Sequence, residues 1–296
     1  MGIDRPEEDD LPRPDDTPSE PIERTGRVAV EDRDRSSYYD ALRAAVDGVS
    51  AETWTATKER FRESWDEHCE RWPPEARKPP DRSADPPGSW RGDSGRYLDS
   101  AANAEVEERC DQIADIERTV ITPAMREIES SDPERHLAGL DHRLKGPDRL
   151  KDKIAAALEE QPELELRDAI DAIPDSMRYT FEYDDARYAD GVLADVQRLE
   201  DRGFVLIEPR NTWDDEHYKG INTRWRSPDS DVRFEVQFHT HSSLEAKQLT
   251  HPAYERMRDP STDPAEISEL RSLQRELVMH VAEPPDTREI LNKRRQ

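Results

Sequence analysis

Cysteine is almost missing from this chain: Cys69 and Cys110 are the only two among 296 residues. Two thiols make neither a disulfide framework nor a zinc site, so a reducing, cytoplasmic setting is the expectation. Long hydrophobic runs are missing as well, and without an apolar stretch of roughly 18 residues the sequence gives no sign of a membrane span. Positive charge is in deficit, with 44 Lys and Arg against 69 Asp and Glu, a net charge of -25 and a pI near 4.7. Such a surface is heavily hydrated and discourages non-specific attachment to nucleic acid or anionic membrane; a high-salt setting is one explanation. Hydrophobic residues make up 33% and charged residues 38%, which leaves enough apolar material for a core only if sizeable parts stay outside it. Residues 1–25 carry nine acidic and three basic side chains and no aromatic. They lack the apolar run of a signal peptide, and a disordered acidic tail is expected.

What remains has room for two small domains, or for one domain with extensive appendages. Tyr38, Leu42 and Val46 recur at four-residue intervals from near Ser36, and Ser50 suits the N-cap of a second helix running to about Arg71. Pro73, Pro74, Pro79, Pro80, Pro86 and Pro87 interrupt the pattern over about residues 73–92. From Ser100 onward, Val106, Cys110, Ile113, Val120 and Ile121 draw one apolar stripe, and Pro123 is expected to end or kink that helix. Residues 26–135 are therefore expected to be a helical region, with a Pro-rich linker, that covers or braces the next domain. Trp54, Trp65, Trp72 and Trp90 read as packing residues, and His68 and His136 have no partner at metal-ligand spacing.

The chemistry is expected in residues 136–257. Arg143, Lys145, Arg149, Lys151 and Lys153 against Asp148 and Asp152 give residues 143–153 a net +3, five positive less two negative. A solvated helix face would look similar, but clustered cations in an acidic protein are also the counterpart of a polyphosphate, whose oxygens take charge-assisted hydrogen bonds. A short apolar helix through Ile154 and Leu158 comes next. Met177, Tyr179, Phe181 and Tyr183 then alternate with Arg178, Thr180 and Glu182 as in a strand. Asp184 and Asp185 open a helix with Tyr188, Val192, Val196 and Leu199 on its apolar side and Gly203 as its stop. Residues 204–207 form a continuous apolar run, expected as a strand buried on both faces. Ile221, Thr223 and Trp225 alternate with Asn222, Arg224 and Arg226; the turn over residues 227–231 then leads into Val232, Phe234, Val236 and Phe238, which alternate with Arg233, Glu235, Gln237 and His239. The two should form a hairpin whose second strand carries a row of chemical groups on one face. A helix is expected from about Ser242, and residues 258–296 read as a mainly helical tail.

These pieces resemble the synthetase domain of the alarmone synthetase (RelA/SpoT) family. That family marks its donor site with an arginine, a lysine two residues on, a serine and a later lysine. Arg143, Lys145 and Lys153 fall at those intervals, with Arg149 in place of the serine. The family's Val-Glu-Ile-Gln-Ile-Arg-Thr strand is similar to residues 234–240, with His239 where the family has arginine. Its Gly-Tyr-x-Ser-Leu-His pattern is matched at the tyrosine by Tyr218, while Gly220 and Asn222 depart from it. The family's first metal-binding aspartate lies five residues before an arginine; Asp175 lies three before Arg178 and Asp171 seven before it, and Asp175 is preferred because it adjoins the strand.

The resemblance implies an α+β fold with a mixed, nucleotidyltransferase-like sheet flanked by helices. It implies transfer of the β,γ-pyrophosphate of ATP to the ribose 3′-hydroxyl of GDP or GTP, with Mg²⁺ held by Asp175 and Glu235 and with Glu235 polarising the attacking hydroxyl. Arg143, Lys145, Lys153, Arg149 and Arg178 would bind ATP; Tyr218, Asn222, Gln237 and His239 would bind the acceptor, Tyr218 by stacking on its base. Glu245, His251 and Tyr254 stand behind them. A rival keeps the chemistry but takes the 3′ end of tRNA or an adenine nucleotide, as toxin-type members do. Another is a catalytically inactive nucleotide-binding module that regulates a partner. The His-Asp doublet of the family's hydrolase domain does not occur, so a monofunctional synthetase is expected.

Overall fold

The computed structural model describes residues 51–73, 79–171, 173, 175–230 and 232–291. The acidic tail, the helix expected near Ser36 and the N-cap at Ser50 lie outside these residues. Helix α1 (Ala51–Arg71) is followed by a two-stranded hairpin, β1 (Trp90–Arg91) and β2 (Tyr97–Leu98). Next come α2 (Ser100–Ile116), α3 (Thr122–Ser130), β3 (Arg135–Ala138), α4 (Pro147–Glu160) and α5 (Leu166–Asp171). The remainder is β4 (Arg178–Tyr183), α6 (Tyr188–Asp201), β5 (Val205–Asn211), β6 (Ile221–Arg226), β7 (Arg233–Thr240), α7 (His241–Met257) and α8 (Pro264–Val278).

The five long-range strands form one mixed sheet in the order β3-β4-β7-β6-β5. β4 and β7 run parallel at its centre; the other pairs are antiparallel, and β6 and β7 are the expected hairpin. The alternation along β4, β6 and β7 sorts their side chains cleanly. Tyr179, Phe181, Thr223, Trp225, Phe234, Val236 and Phe238 are buried on one face. There Tyr188, Val192, Val196 and Leu199 of α6 cover them, and the Tyr188 hydroxyl donates to Phe238 O at 2.8 Å. α7 lies over the opposite, polar face, where Ser243 meets His239. One apolar cluster includes residues from Phe61 to Leu291, so the flanking helices share a core with the sheet. Among the described residues, no helix is long and apolar enough to cross a membrane.

Three local expectations are corrected. The helix begun at Ser100 does not end at Pro123: the chain stays helical through a π turn at Glu117–Ile121, which loosens it just ahead of the proline, and Pro123 falls in the first turn of α3. β3, not foreseen, pairs antiparallel with β4. Residues 204–207 are not a strand buried on both faces, for β5 is the sheet's edge and Val205 and Ile207 are 44% and 46% exposed. Only Phe204 is buried, edge-on to Phe234 with ring centroids 5.2 Å apart.

β3 is fastened by a buried polar knot. The Arg135 guanidinium, 1% exposed, lies 2.7 Å from Asp195 Oδ1, which also accepts from Arg198 at 2.6 Å, while Asp195 Oδ2 accepts from the Tyr183 hydroxyl at 2.6 Å. Burial raises the Asp195 carboxyl above its usual range against the pull of Tyr183, Arg135 and Arg198. Breaking one partner of such a pair strands the other charge without water. Asp195→Ala is expected to cost about 3–5 kcal/mol of unfolding free energy, read from the urea midpoint, whereas Asp115→Ala at the exposed Arg118 pair leaves the midpoint unchanged.

Candidate active site

The parallel register of β4 and β7 sets Arg178 beside Glu235, Thr180 beside Gln237 and Glu182 beside His239. On the other side of β7, Arg224 of β6 lies opposite Glu235 and Asn222 opposite Gln237. The polar face of three strands is thereby gathered around Glu235.

Asp175 stands three residues before β4's first residue, Arg178, and is the hub of the cations. Lys145 Nζ donates to its Oδ2 at 2.6 Å, Lys153 Nζ lies 3.0 and 3.1 Å from its two oxygens, and Arg178 Nη2 is 3.4 Å away. Lys145 reaches it because residues 143–145 run alongside the start of β4: the Lys145 N–H donates to Ser176 O, the Arg178 N–H donates to Arg143 O, and Leu144 bridges Met177. Lys153 arrives from the second turn of α4. Burial alone would raise the Asp175 carboxyl, but the ammonium groups of Lys145 and Lys153 outweigh it and hold it down to about 2. Burial pushes the Lys145 ammonium down to about 8, with Asp175 pulling the other way.

Arg178 joins the two carboxylates. Its Nε donates to Glu235 Oε2 at 2.8 Å. Glu235 Oε1 accepts from Gln237 Nε2 at 3.0 Å, and Gln237 Oε1 accepts from Lys247 Nζ. Burial, with Arg178 adding to it, pushes the Lys247 ammonium down to about 8.

Tyr218 lies beside this row. Its hydroxyl is 2.9 Å from both Asn222 Oδ1 and His239 Nε2, and its ring meets the imidazole edge to face. Burial lifts the Tyr218 hydroxyl above its usual range and drops the fully buried His239 well below its own, so the imidazole is neutral. A Cβ at Gly220, where φ is +154°, would stand 2.8 Å from His239 Cε1. The glycine gives the imidazole its room.

Lys145, Lys153, Asp175, Arg178, Glu235 and Gln237 are thus in one network, and Tyr218, Asn222 and His239 in a second on the same sheet face. Two expected donor residues stand apart. Arg143 Nε is held at 2.6 Å by Glu117 Oε1, on the side of β4 where Tyr179 lies. Arg149 is an exposed side chain of α4 without an ion pair among the described residues. Glu245 is taken by Trp54 and Lys58 of α1, and His251 and Tyr254 stack on each other. The side chain of Asp171 lies outside the described residues. Sequence reasoning misses Lys247; its signal is a lysine four residues after Ser243, on a helix side otherwise made of buried residues such as Ala246 and Thr250.

No family model matches the chain, and no curated protein matches it. Solved structures to which it is similar include a GTP pyrophosphokinase family protein from Streptococcus pneumoniae, at 15% identity over 59% of this chain and 88% of that one, with a TM-score of 0.44. Small alarmone synthetase 1 from Bacillus subtilis, bound to its product pppGpp, is similar at 17% identity over 60% and 85% of the two chains, with a TM-score of 0.34. A Type VI effector in complex with its immunity protein is similar at 16% identity over 58% and 95%, with a TM-score of 0.39.

The depressed Asp175 carboxyl ties the site to stability. Between pH 3.8 and about 2 the unfolded chain binds the proton that folded Asp175 refuses, so stability rises with pH through that window and is fully present above it. Relative to Asp175→Asn, the native chain is expected to lose on the order of 2 kcal/mol of its advantage as pH falls from 4 to 2, measured by urea unfolding at each pH.

Proposed function

We propose that this protein is a nucleotide pyrophosphokinase that moves the β,γ-pyrophosphate of ATP to the ribose 3′-hydroxyl of GDP or GTP. The observation that carries this reading is the convergence of Lys145, Lys153 and Arg178 on Asp175, one side chain away from Glu235. Phosphoryl-type transfer asks a protein chiefly for positioning and charge neutralisation. Lys145 and Lys153 would exchange part of their contact with Asp175 for donor phosphate oxygens. Glu235 would accept the proton of the 3′-hydroxyl as its oxygen bonds to the β-phosphorus and the bond to the AMP oxygen breaks. Tyr218, with Asn222 and His239, would hold the acceptor base.

The donor set suits a magnesium ion. Asp175 and Glu235 are hard carboxylates joined by the Arg178 guanidinium, with Lys145 and Lys153 also on Asp175. No cluster of three or more metal-ligating side chains occurs among the described residues, so a metal would take its other ligands from the nucleotide once the lysines turn to its phosphates. Mg²⁺ is commonly bound through one or two carboxylates plus substrate phosphates rather than in an all-protein cage. When bound, it would neutralise charge on the transferred group.

A second reading keeps the chemistry and takes the 3′ end of tRNA as acceptor. Arg224, Arg226 and Arg233 favour it, since the register sets them on the sheet face that carries Glu235. Incubation with ATP labelled on its γ-phosphate and GDP, GTP, ATP or deacylated tRNA decides between them. Label is expected on GDP or GTP. Label on tRNA alone selects the second reading, and binding of ATP without any transfer makes the protein a nucleotide-binding module instead.

Glu235→Gln is expected to abolish transfer while leaving ATP affinity nearly intact; normal transfer by that variant removes Glu235 from the mechanism. Lys145 supplies a pH test. Above about pH 8 the free protein has lost that proton and must regain it to meet the phosphates. ATP binding is therefore expected to weaken as pH rises past 8 and to take up protons there, seen by calorimetry in two buffers of different ionisation enthalpy.

A further inference from the structure

The amide of Gln237 sits between two groups that leave it a single orientation. Lys247 carries three donors and no acceptor, so only Oε1 can face it. The Glu235 carboxylate is an acceptor, so only Nε2 can face that side. The side chain is 4% exposed and enclosed between β7 and α7, so water does not replace either partner cheaply. With Arg178 on its other oxygen, Glu235 has each oxygen held by a separate donor.

We propose that Lys247 is a positioning residue for Glu235: it locks the Gln237 amide with its N–H₂ toward the carboxylate, and so fixes the rotation of the carboxylate plane without touching the reacting atoms. Neither Arg178 nor Gln237 does this alone. A carboxylate held at one oxygen still swings about its final side-chain bond, and a Gln237 held only through Nε2 still turns about its own, carrying that donor off line. The residue reaches the site because α7 starts directly at the end of β7. Its capping box at Thr240 and Ser243 sets the helix rotation, and one turn later the same side of the helix brings Lys247 over Gln237. Ser243 fixes His239 and Lys247 fixes Gln237, so α7 aligns two successive groups of the polar face.

This inference rests on the transfer reading of Glu235, and it has a readout that does not. In the full-length protein, the Gln237 side-chain amide signal, assigned by its loss in Gln237→Leu, is expected to be shifted and slow to exchange with solvent. In Lys247→Met it is expected to shift and to exchange faster with solvent, while the urea transition stays cooperative with its midpoint lowered by the unpaired buried amide oxygen. An unmoved signal overturns the lock whether or not the protein is an enzyme. For transfer, Lys247→Met is expected to lower kcat about 10-fold or more with the KM for ATP little changed, as for loss of a hydrogen bond to a charged group. Lys247→Arg restores most of kcat. In a Gln237→Leu background, Lys247→Met has no further effect. A raised KM for ATP at constant kcat, or additive losses in the double variant, overturns the proposal in favour of direct phosphate contact by Lys247.

Discussion

The parallel pairing of β4 with β7 is the constraint on which the rest of this molecule depends. It puts Arg178 beside Glu235, and among the described residues Arg178 is the one side chain that touches both carboxylates of the site. Parallel neighbours cannot be joined by a tight turn. The chain between them makes α6, β5 and β6 before returning, and each of those elements does something for the site. α6 covers the apolar face, β6 contributes Asn222 and Arg224, and the loop between β5 and β6 brings Tyr218 back over His239. A shift of one residue in this register would turn Glu235 and Gln237 into the core and expose Phe234 and Val236.

Most of that arrangement was legible because period-2 alternation is unambiguous when one face is aromatic and aliphatic and the other charged. Tyr179, Phe181, Phe234, Val236 and Phe238 all read correctly as core, and the hairpin turn after Arg226 was marked by its Ser, Pro and Asp residues. The cationic cluster showed itself by contrast with an acidic chain. What pattern could not supply was the third dimension at the ends of elements. Arg143 and Lys145 are two residues apart, yet Arg143 is in the helical region at φ -67° and ψ -29°, and its guanidinium is turned to Glu117. Lys145 continues to Asp175. A spacing rule treats them alike; the backbone does not.

The same limit accounts for β5, β3 and Lys247. A run of apolar residues reports hydrophobicity and not whether a neighbour covers it, and β5 has a partner on one side only. β3 is four residues long with Arg135 as its anchor, so its reason for existing is the Asp195 knot rather than any alternation. Lys247 is invisible to motif reading because its role comes from being one helical turn beyond Ser243, which matters only once α7 is known to lie on the polar face. Gly220 and His239 form a further coupled pair: the imidazole fills the space that a side chain at 220 would need, so each position departs from the resembled pattern in a way that suits the other.

Lys145, Lys153 and Arg178 on Asp175 and Glu235, with Lys247 joined through Gln237, make a partly buried cluster of net +2, four cations less two carboxylates, within a chain of -25. Any anion approaching from bulk solution meets repulsion first and attraction only close in. Mobile ions act on these two fields unequally: at about 0.15 M salt exposed charges fade over about 8 Å, while enclosed ones are much less affected. Added electrolyte thus weakens the field of the acidic surface more than that of the partly buried cations within it.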